Sequence, residues 1–165
     1  MFQMLKKKLK DQRGLTLIEL LAVIVILGII AAIAVPSILG LIDNTKKDAH
    51  VANAQQMINS AKMAITTDTN LQKSDATKPI IKYLTLKEMV DSNYIDAIES
   101  PDGSTHNYMD TITGTIDDTT VVSYVKISNG KVVGVKLVTN ERGVQTSTKG
   151  PVPQEDLKRG VVIGN

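Results

Sequence analysis

The sequence has no cysteine and no tryptophan, and only one phenylalanine, four tyrosines and two histidines among its 165 residues. Without cysteine there is no disulfide framework, no thiolate metal site and no thiol nucleophile. His50 and His106 alone cannot build a multi-histidine metal cage. No Asn-x-Ser/Thr acceptor occurs, and no glycine-rich loop of the kind that cradles phosphates. Charge is nearly absent from one stretch: between Leu15 and Ile42, 22 of 28 residues are apolar and Glu19 is the only charged one. The net charge of +2 is also uneven. Residues 1–14 carry Lys6, Lys7, Lys8, Lys10 and Arg13 against Asp11, a local +4, which leaves the remainder at −2. The basic surplus belongs to one short end, so a nucleic-acid groove is the weaker reading of Lys46, Lys47 and Lys62, and a solvated face the stronger. An apolar rod joined to a polar small domain excludes both a fully soluble and a fully disordered chain.

A basic segment followed by an apolar run addresses a chain to a membrane, with the basic residues held on the cytoplasmic side. Leu20 to Ile42 gives 23 uncharged residues, which as a helix extend about 35 Å and suffice for a hydrocarbon core of about 30 Å. A permanent signal anchor is one reading. A secretory signal cut after Ala34 is another, since Ala32-Ile33-Ala34 has the small-x-small form, but the preceding apolar stretch is too long for it. Glu19 argues against both, because an isolated carboxylate in apolar surroundings costs several kcal/mol unless a positive partner is found.

The segment Arg13-Gly14-Leu15-Thr16-Leu17-Ile18-Glu19-Leu20 resembles the processing site of type IV pilins and pseudopilins. In that family a prepilin peptidase cuts after the glycine and N-methylates the new first residue, which here is Leu15. Glu19, Gly28 and Pro36 then become mature positions five, fourteen and twenty-two, where the family usually has those residues. The departure is Leu15 itself, where phenylalanine is commonest. The resemblance implies leader residues 1–14, a transmembrane and assembly half of the long helix at 15–42, an amphipathic half at 43–66 and a globular head at 67–165. It further implies a precursor in the cytoplasmic membrane and a homopolymeric filament at the cell surface. The assembly ATPase and platform membrane protein are implied partners, and adhesion, twitching motility or biofilm formation the output. A pseudopilin of a DNA-uptake (competence) or type II secretion system is the close rival; the size of the head leans towards a displayed pilin. A membrane-anchored extracellular binding module or enzyme is the third reading, disfavoured because no nucleophile, metal or cofactor set is evident.

The implied role of Glu19 has a physical basis. Cleavage creates an α-amine on Leu15, and pairing of that amine with Glu19 of a neighbouring subunit sets axial register, because a misplaced subunit strands a buried charge. Gly28 and Pro36 admit two readings: ordinary transmembrane-helix composition, or a stretch that unwinds and extends within a packed filament.

Beyond Ile42 the apolar residues Ala49, Ala52, Met57, Ile58, Ala61, Ala64 and Ile65 recur at helical spacing, so one helix is predicted from about Leu15 to Thr66. Residues 67–79 read as a loop. Leu84 to Val90 reads as a short helix with Thr85 and Glu88 forming a capping box, its apolar face continued by Tyr94, Ile95 and Ile98. Ser100-Pro101-Asp102-Gly103 is a turn. Asn129-Gly130 between apolar runs predicts a type I′ hairpin. Its simple register pairs Ile127 with Val132, Lys126 with Val133, Tyr124 with Val135 and Val122 with Leu137. Val122, Tyr124, Val133, Val135 and Leu137 would then face the long helix. Residues 111–116 and 160–163 are candidate further strands, and 141–158 an irregular segment. The expected fold is α+β and type IV pilin-like: one long helix on a small antiparallel sheet. Asp102, Asp110, Asp117 and Asp118 supply oxygen ligands of the kind Ca²⁺ takes, but their spacing follows no template, so no metal and no cofactor is expected. His106 reads as solvated.

Overall fold

The computed structural model describes residues 17–112 and 114–165. Gly14, Leu15 and the leader residues Lys6, Lys7, Lys8, Lys10 and Arg13 lie outside them. The chain divides into two units, Met1–Asp43 and Asn44–Asn165. The first consists of the apolar part of helix α1 (Phe2–Thr67), which falls within the described residues from Leu17. Leu17, Leu20, Leu27, Ile33 and Leu41 all stand exposed on it, and Pro36 lies inside the helix.

The second unit contains the amphipathic part of α1 and five antiparallel strands, β1 (Ile81–Thr85), β2 (Tyr124–Ser128), β3 (Lys131–Val138), β4 (Arg142–Val144) and β5 (Val162–Gly164). They lie side by side in sequence order. A short helix, α2 (Leu86–Asp91), leaves directly from β1. Thr85 is its N-cap: its hydroxyl accepts from the Glu88 amide at 3.1 Å while the Glu88 carboxylate accepts from the Thr85 amide at 2.8 Å. The capping box forms as expected, but Leu84 and Thr85 finish a strand and helix begins only at Leu86. Ile95 is buried and Tyr94 and Ile98 pack on the same core, from the non-helical chain after α2.

Ala54, Met57, Ile58, Ala61 and Ala64 of α1 form one apolar cluster with Val125, Ile127, Val135, Leu137 and Val144 of the sheet. Small alanines let helix and sheet approach closely, and fully burying each larger side chain contributes roughly 1.5–3 kcal/mol. Met57, Ile58, Ala61, Ala64 and Ile65 of the expected stripe meet the core, but at its N-terminal end Ala52 is exposed and Ala49 half-buried, while His50 and Ala54 are buried instead.

The Asn129-Gly130 turn has both central residues at positive φ, 49° and 73°, the signature of type I′. Ile127 pairs with Val132 as expected, but an extra residue then enters β3, and Lys126 meets Gly134, Val125 meets Val135 and Tyr124 meets Lys136. This bulge corrects the face assignment, because a one-residue slip inverts every later side chain. Val125 and Ile127, not Val122 and Tyr124, join Val135 and Leu137 in the core. Val133 is exposed, and Val122, Tyr124, Lys136 and Val138 are buried outside that cluster. Three further expectations are corrected. The described residues of 111–116 are irregular, and the strand that pairs with β2 on its other side is β1. Residues 159–161 form a 3-10 turn, so the last strand starts at Val162. Within 141–158, β4 pairs with both β3 and β5. Only Gly143 fits its centre, since a Cβ there would lie 2.4 Å from the Leu137 carbonyl oxygen.

Candidate functional site

Two groups of residues carry chemistry, one in each unit. In the first, Glu19 is the only charged residue from Leu17 to Ile42, on a helical surface of exposed leucine, isoleucine and valine. A Cβ on Gly28 would meet nothing within 4 Å, so its lack of a side chain is not explained by packing inside this chain. The segment from Leu17 is long and apolar enough to cross a membrane. In the single chain, Gly28 and Pro36 both sit in helical backbone.

The second group is centred on Asp102, in the turn closed by the Gly103 amide donating to the Ser100 carbonyl at 3.2 Å. Its carboxylate is 4% exposed. Arg142 of β4 grips it with two donors, Nε to Oδ2 at 2.8 Å and Nη2 to Oδ1. His50 Nε2 lies 2.8 Å from Oδ2, and Lys46 Nζ 3.7 Å from Oδ1. On the other side of the imidazole, Nδ1 is 2.9 Å from the Tyr108 hydroxyl, which also receives a hydrogen bond from Asn53 Nδ2 at 2.9 Å. These partners assign the proton. Since Asn53 donates to Tyr108, the phenol proton points to His50 Nδ1, and Nε2–H donates to Asp102. Every polar atom is then satisfied with His50 neutral. Burial, followed by the nearby cations Arg142 and Lys46, lowers the pKa of His50, against the opposing pull of Asp102. Arg142 holds the Asp102 carboxyl well below the usual carboxylate range, and burial pushes the Tyr108 phenol up to about 12. The arrangement ties α1, the 100–108 segment and β4 together by charge and hydrogen bonds. His50 is fully buried, so it offers no imidazole to a substrate.

The acidic loop residues do not gather. Asp110 accepts from Thr111, Asp117 caps the amides of Thr119 and Thr120, and Asp118 pairs with Lys126 at 2.6 Å while accepting from the Tyr83 hydroxyl at 2.9 Å. Among the described residues, no three His, Asp or Glu side chains converge as a metal site would need. His106 pairs with Glu141 at 2.8 Å. Of the lysines considered for a polyanion, Lys46 serves Asp102 and Lys62 donates to Gln154 at 2.7 Å.

Sequence reasoning missed three residues. His50 sits within the helical stripe, where nothing in the period sets it apart. Arg142 lay in a segment read as irregular. Lys136, in β3, is fully buried, and its ammonium donates to the carbonyls of Asp118, Thr119 and Lys149. Burial lowers its pKa, and the neighbouring carboxylate of Asp117 raises it. The one legible signal for Lys136 was a charge at a position that alternates with apolar residues.

Residues 9–35 match the prokaryotic N-terminal methylation motif, the signature of the type IV prepilin and pseudopilin family. No curated protein and no solved structure matches the chain. The long helix and five-stranded antiparallel sheet form an α+β, type IV pilin-like arrangement.

Proposed function

We propose, from a chain whose N-terminus bears the type IV prepilin signature, that this protein is a non-enzymatic structural subunit of a type IV pilus. The precursor inserts in the cytoplasmic membrane through Leu20–Ile42 with Lys6, Lys7, Lys8, Lys10 and Arg13 on the cytoplasmic side. Prepilin peptidase cuts between Gly14 and Leu15 and methylates Leu15. An assembly ATPase and a platform membrane protein then move the subunit into a homopolymeric surface filament for adhesion, motility or biofilm formation. The observation that carries the reading is Glu19, a lone carboxylate in a membrane-length apolar helix. Lipid gives it no partner, whereas a neighbouring subunit's amine does. The exposed apolar surface of the same helix supports it too, since a few hundred Å² of contiguous apolar surface is already unusual on a soluble monomer. Such a surface moves from lipid to other copies of itself on assembly.

N-terminal sequencing of the mature protein tests the reading. N-methyl-Leu15 supports it, whereas Val35 would indicate secretory cleavage and Met1 a permanent anchor. In Gly14→Ala the expected product is an uncut, leader-bearing precursor confined to the membrane, seen as a slower band on immunoblots and as loss of surface filaments. Normal processing in that variant would reject the cut site. Imaging separates the displayed pilus from a pseudopilus of DNA uptake or type II secretion, which is too short to extend visibly from the cell.

A further inference from the structure

The face of the sheet away from the apolar cluster with α1 is also covered, and it holds a charge. Tyr124, Lys136 and Val138 are all buried there. A buried ammonium among apolar side chains is strongly penalised unless its donors are met. Among the described residues no carboxylate hydrogen-bonds the Lys136 ammonium, although those of Asp117 and Asp118 lie near enough to favour its charge. The carboxylate of Asp118 is occupied by Lys126 and Tyr83, and what faces the Lys136 ammonium is main chain: the carbonyls of Thr119 at 3.2 Å, Asp118 at 3.5 Å and Lys149. An ammonium has three N–H donors and no acceptor, which matches three carbonyl oxygens one to one.

Two loops are built so that these oxygens converge. In the first, the Asp117 carboxylate accepts from the Thr119 and Thr120 amides, both at 2.9 Å, and the Tyr124 hydroxyl donates to the Asp118 carbonyl at 3.0 Å. In the second, Lys149 adopts φ of 62°, an uncommon conformation for a non-glycine residue. It is held there by its amide donating to the Thr146 carbonyl at 2.8 Å and by the Gly150 amide donating to the Thr146 hydroxyl at 2.9 Å. Convergence of carbonyl oxygens from separate loops is how proteins bind a hard cation. We propose that these loops form a cation cage whose resident is the primary ammonium of Lys136, a ligand tethered to the sheet, and that its occupancy holds both loops in place. With the cage empty, the Asp118, Thr119 and Lys149 carbonyls lose their shared partner, and the two loops lose the link between them.

The test uses the full chain in detergent micelles. Lys136→Ala deletes the last three carbons and the nitrogen of the side chain, so free n-propylammonium supplies the missing part. The expected result is a melting temperature lowered by roughly 10 °C, recovered dose-dependently by n-propylammonium chloride and not by n-propanol, which has the same shape without charge. In Lys136→Met, which keeps the stem, the amides of Thr146 and Lys149 should exchange with deuterium at least tenfold faster while those of the β1–β2 pair do not. Equal rescue by n-propanol, or unchanged exchange in Lys136→Met, overturns the proposal. Should neither variant fold, the unaltered chain labelled with ¹⁵N at lysine Nζ still decides: a slowly exchanging ammonium signal from Lys136 at neutral pH supports the cage, and a rapidly exchanging or uncharged nitrogen refutes it.

Discussion

Replacing Glu19 by alanine or valine is expected to leave leader cleavage and membrane insertion intact while reducing surface filaments tenfold or more. Glu19 is the only charge between Leu15 and Ile42. Its removal makes insertion into lipid easier, by about 2–3 kcal/mol on insertion scales. Were anchoring the whole purpose of the segment, the substitution would be harmless or helpful. Where the carboxylate instead meets the Leu15 amine of a neighbour, its loss strands that amine at about 3–5 kcal/mol for each contact. A cost of that size recurs at every subunit, so polymer yield responds far more steeply than a single contact would suggest. Comparing the sheared surface fraction with the membrane fraction measures it. Equal filament yield in variant and parent would reject the registry role.

The second large effect is expected in the head. Asp102→Ala removes a carboxylate that is 4% exposed and leaves Arg142 and the fully buried His50 without it. Breaking such a buried pair from one side costs about 3–5 kcal/mol, so the urea midpoint followed by tyrosine fluorescence should drop sharply. The same cluster sets a pH dependence. Burial lowers the pKa of His50 in the folded chain, whereas in the unfolded chain it titrates near about 6.5. As the pH falls below that value the unfolded state takes up a proton the folded state refuses, so stability declines with acidification until folded His50 is protonated as well. Asp102 acts in a different window. Its folded pKa is depressed, and its contribution stays intact until the pH drops below the ordinary carboxylate range. Around His50 the facing groups are Asp102, Arg142, Lys46, Tyr108 and Asn53. The decline in unfolding free energy between pH 7 and pH 5 should therefore be flatter in His50→Gln than in the parent; an identical slope in the two would place the dependence elsewhere.

These two residues also mark how far the chain could be read before its structure. Glu19 stood out because its meaning lies in local context, a charge inside an apolar run. The capping box of Thr85 and Glu88 and the positive-φ pair Asn129-Gly130 were legible for the same reason, each being decided within four residues. The Asp102 cluster was not, because His50 and Arg142 lie 52 and 40 residues from it and nothing in a strand or helix period links them. The bulge in β3 is an intermediate case. Gly134 inside a strand was a usable signal for it, but Val132, Val133 and Val135 fit either face by composition. The simple alternation therefore carried the register past the inserted residue, so that Val135 and Leu137 were placed on the right face while Val125, Ile127, Tyr124 and Val133 were placed on the wrong one. β4 has three residues, too few for any alternation to show.

The order of the strands bears on how the head acquires its structure. Each of β1 to β5 is hydrogen-bonded only to strands adjacent to it in sequence. The tightest closure, two residues between β2 and β3, needs the least loop entropy and forms on the microsecond scale typical of hairpins. From that nucleus the sheet grows outward on both sides, to β1 already synthesised and to β4 and β5 as they arrive, with no strand inserted between two others. Such local pairing favours rapid folding and shortens the time during which unpaired edges are open to aggregation. For a chain delivered N-terminus first, the head can assemble progressively, each strand finding its partner already in place, with β5 the last to add.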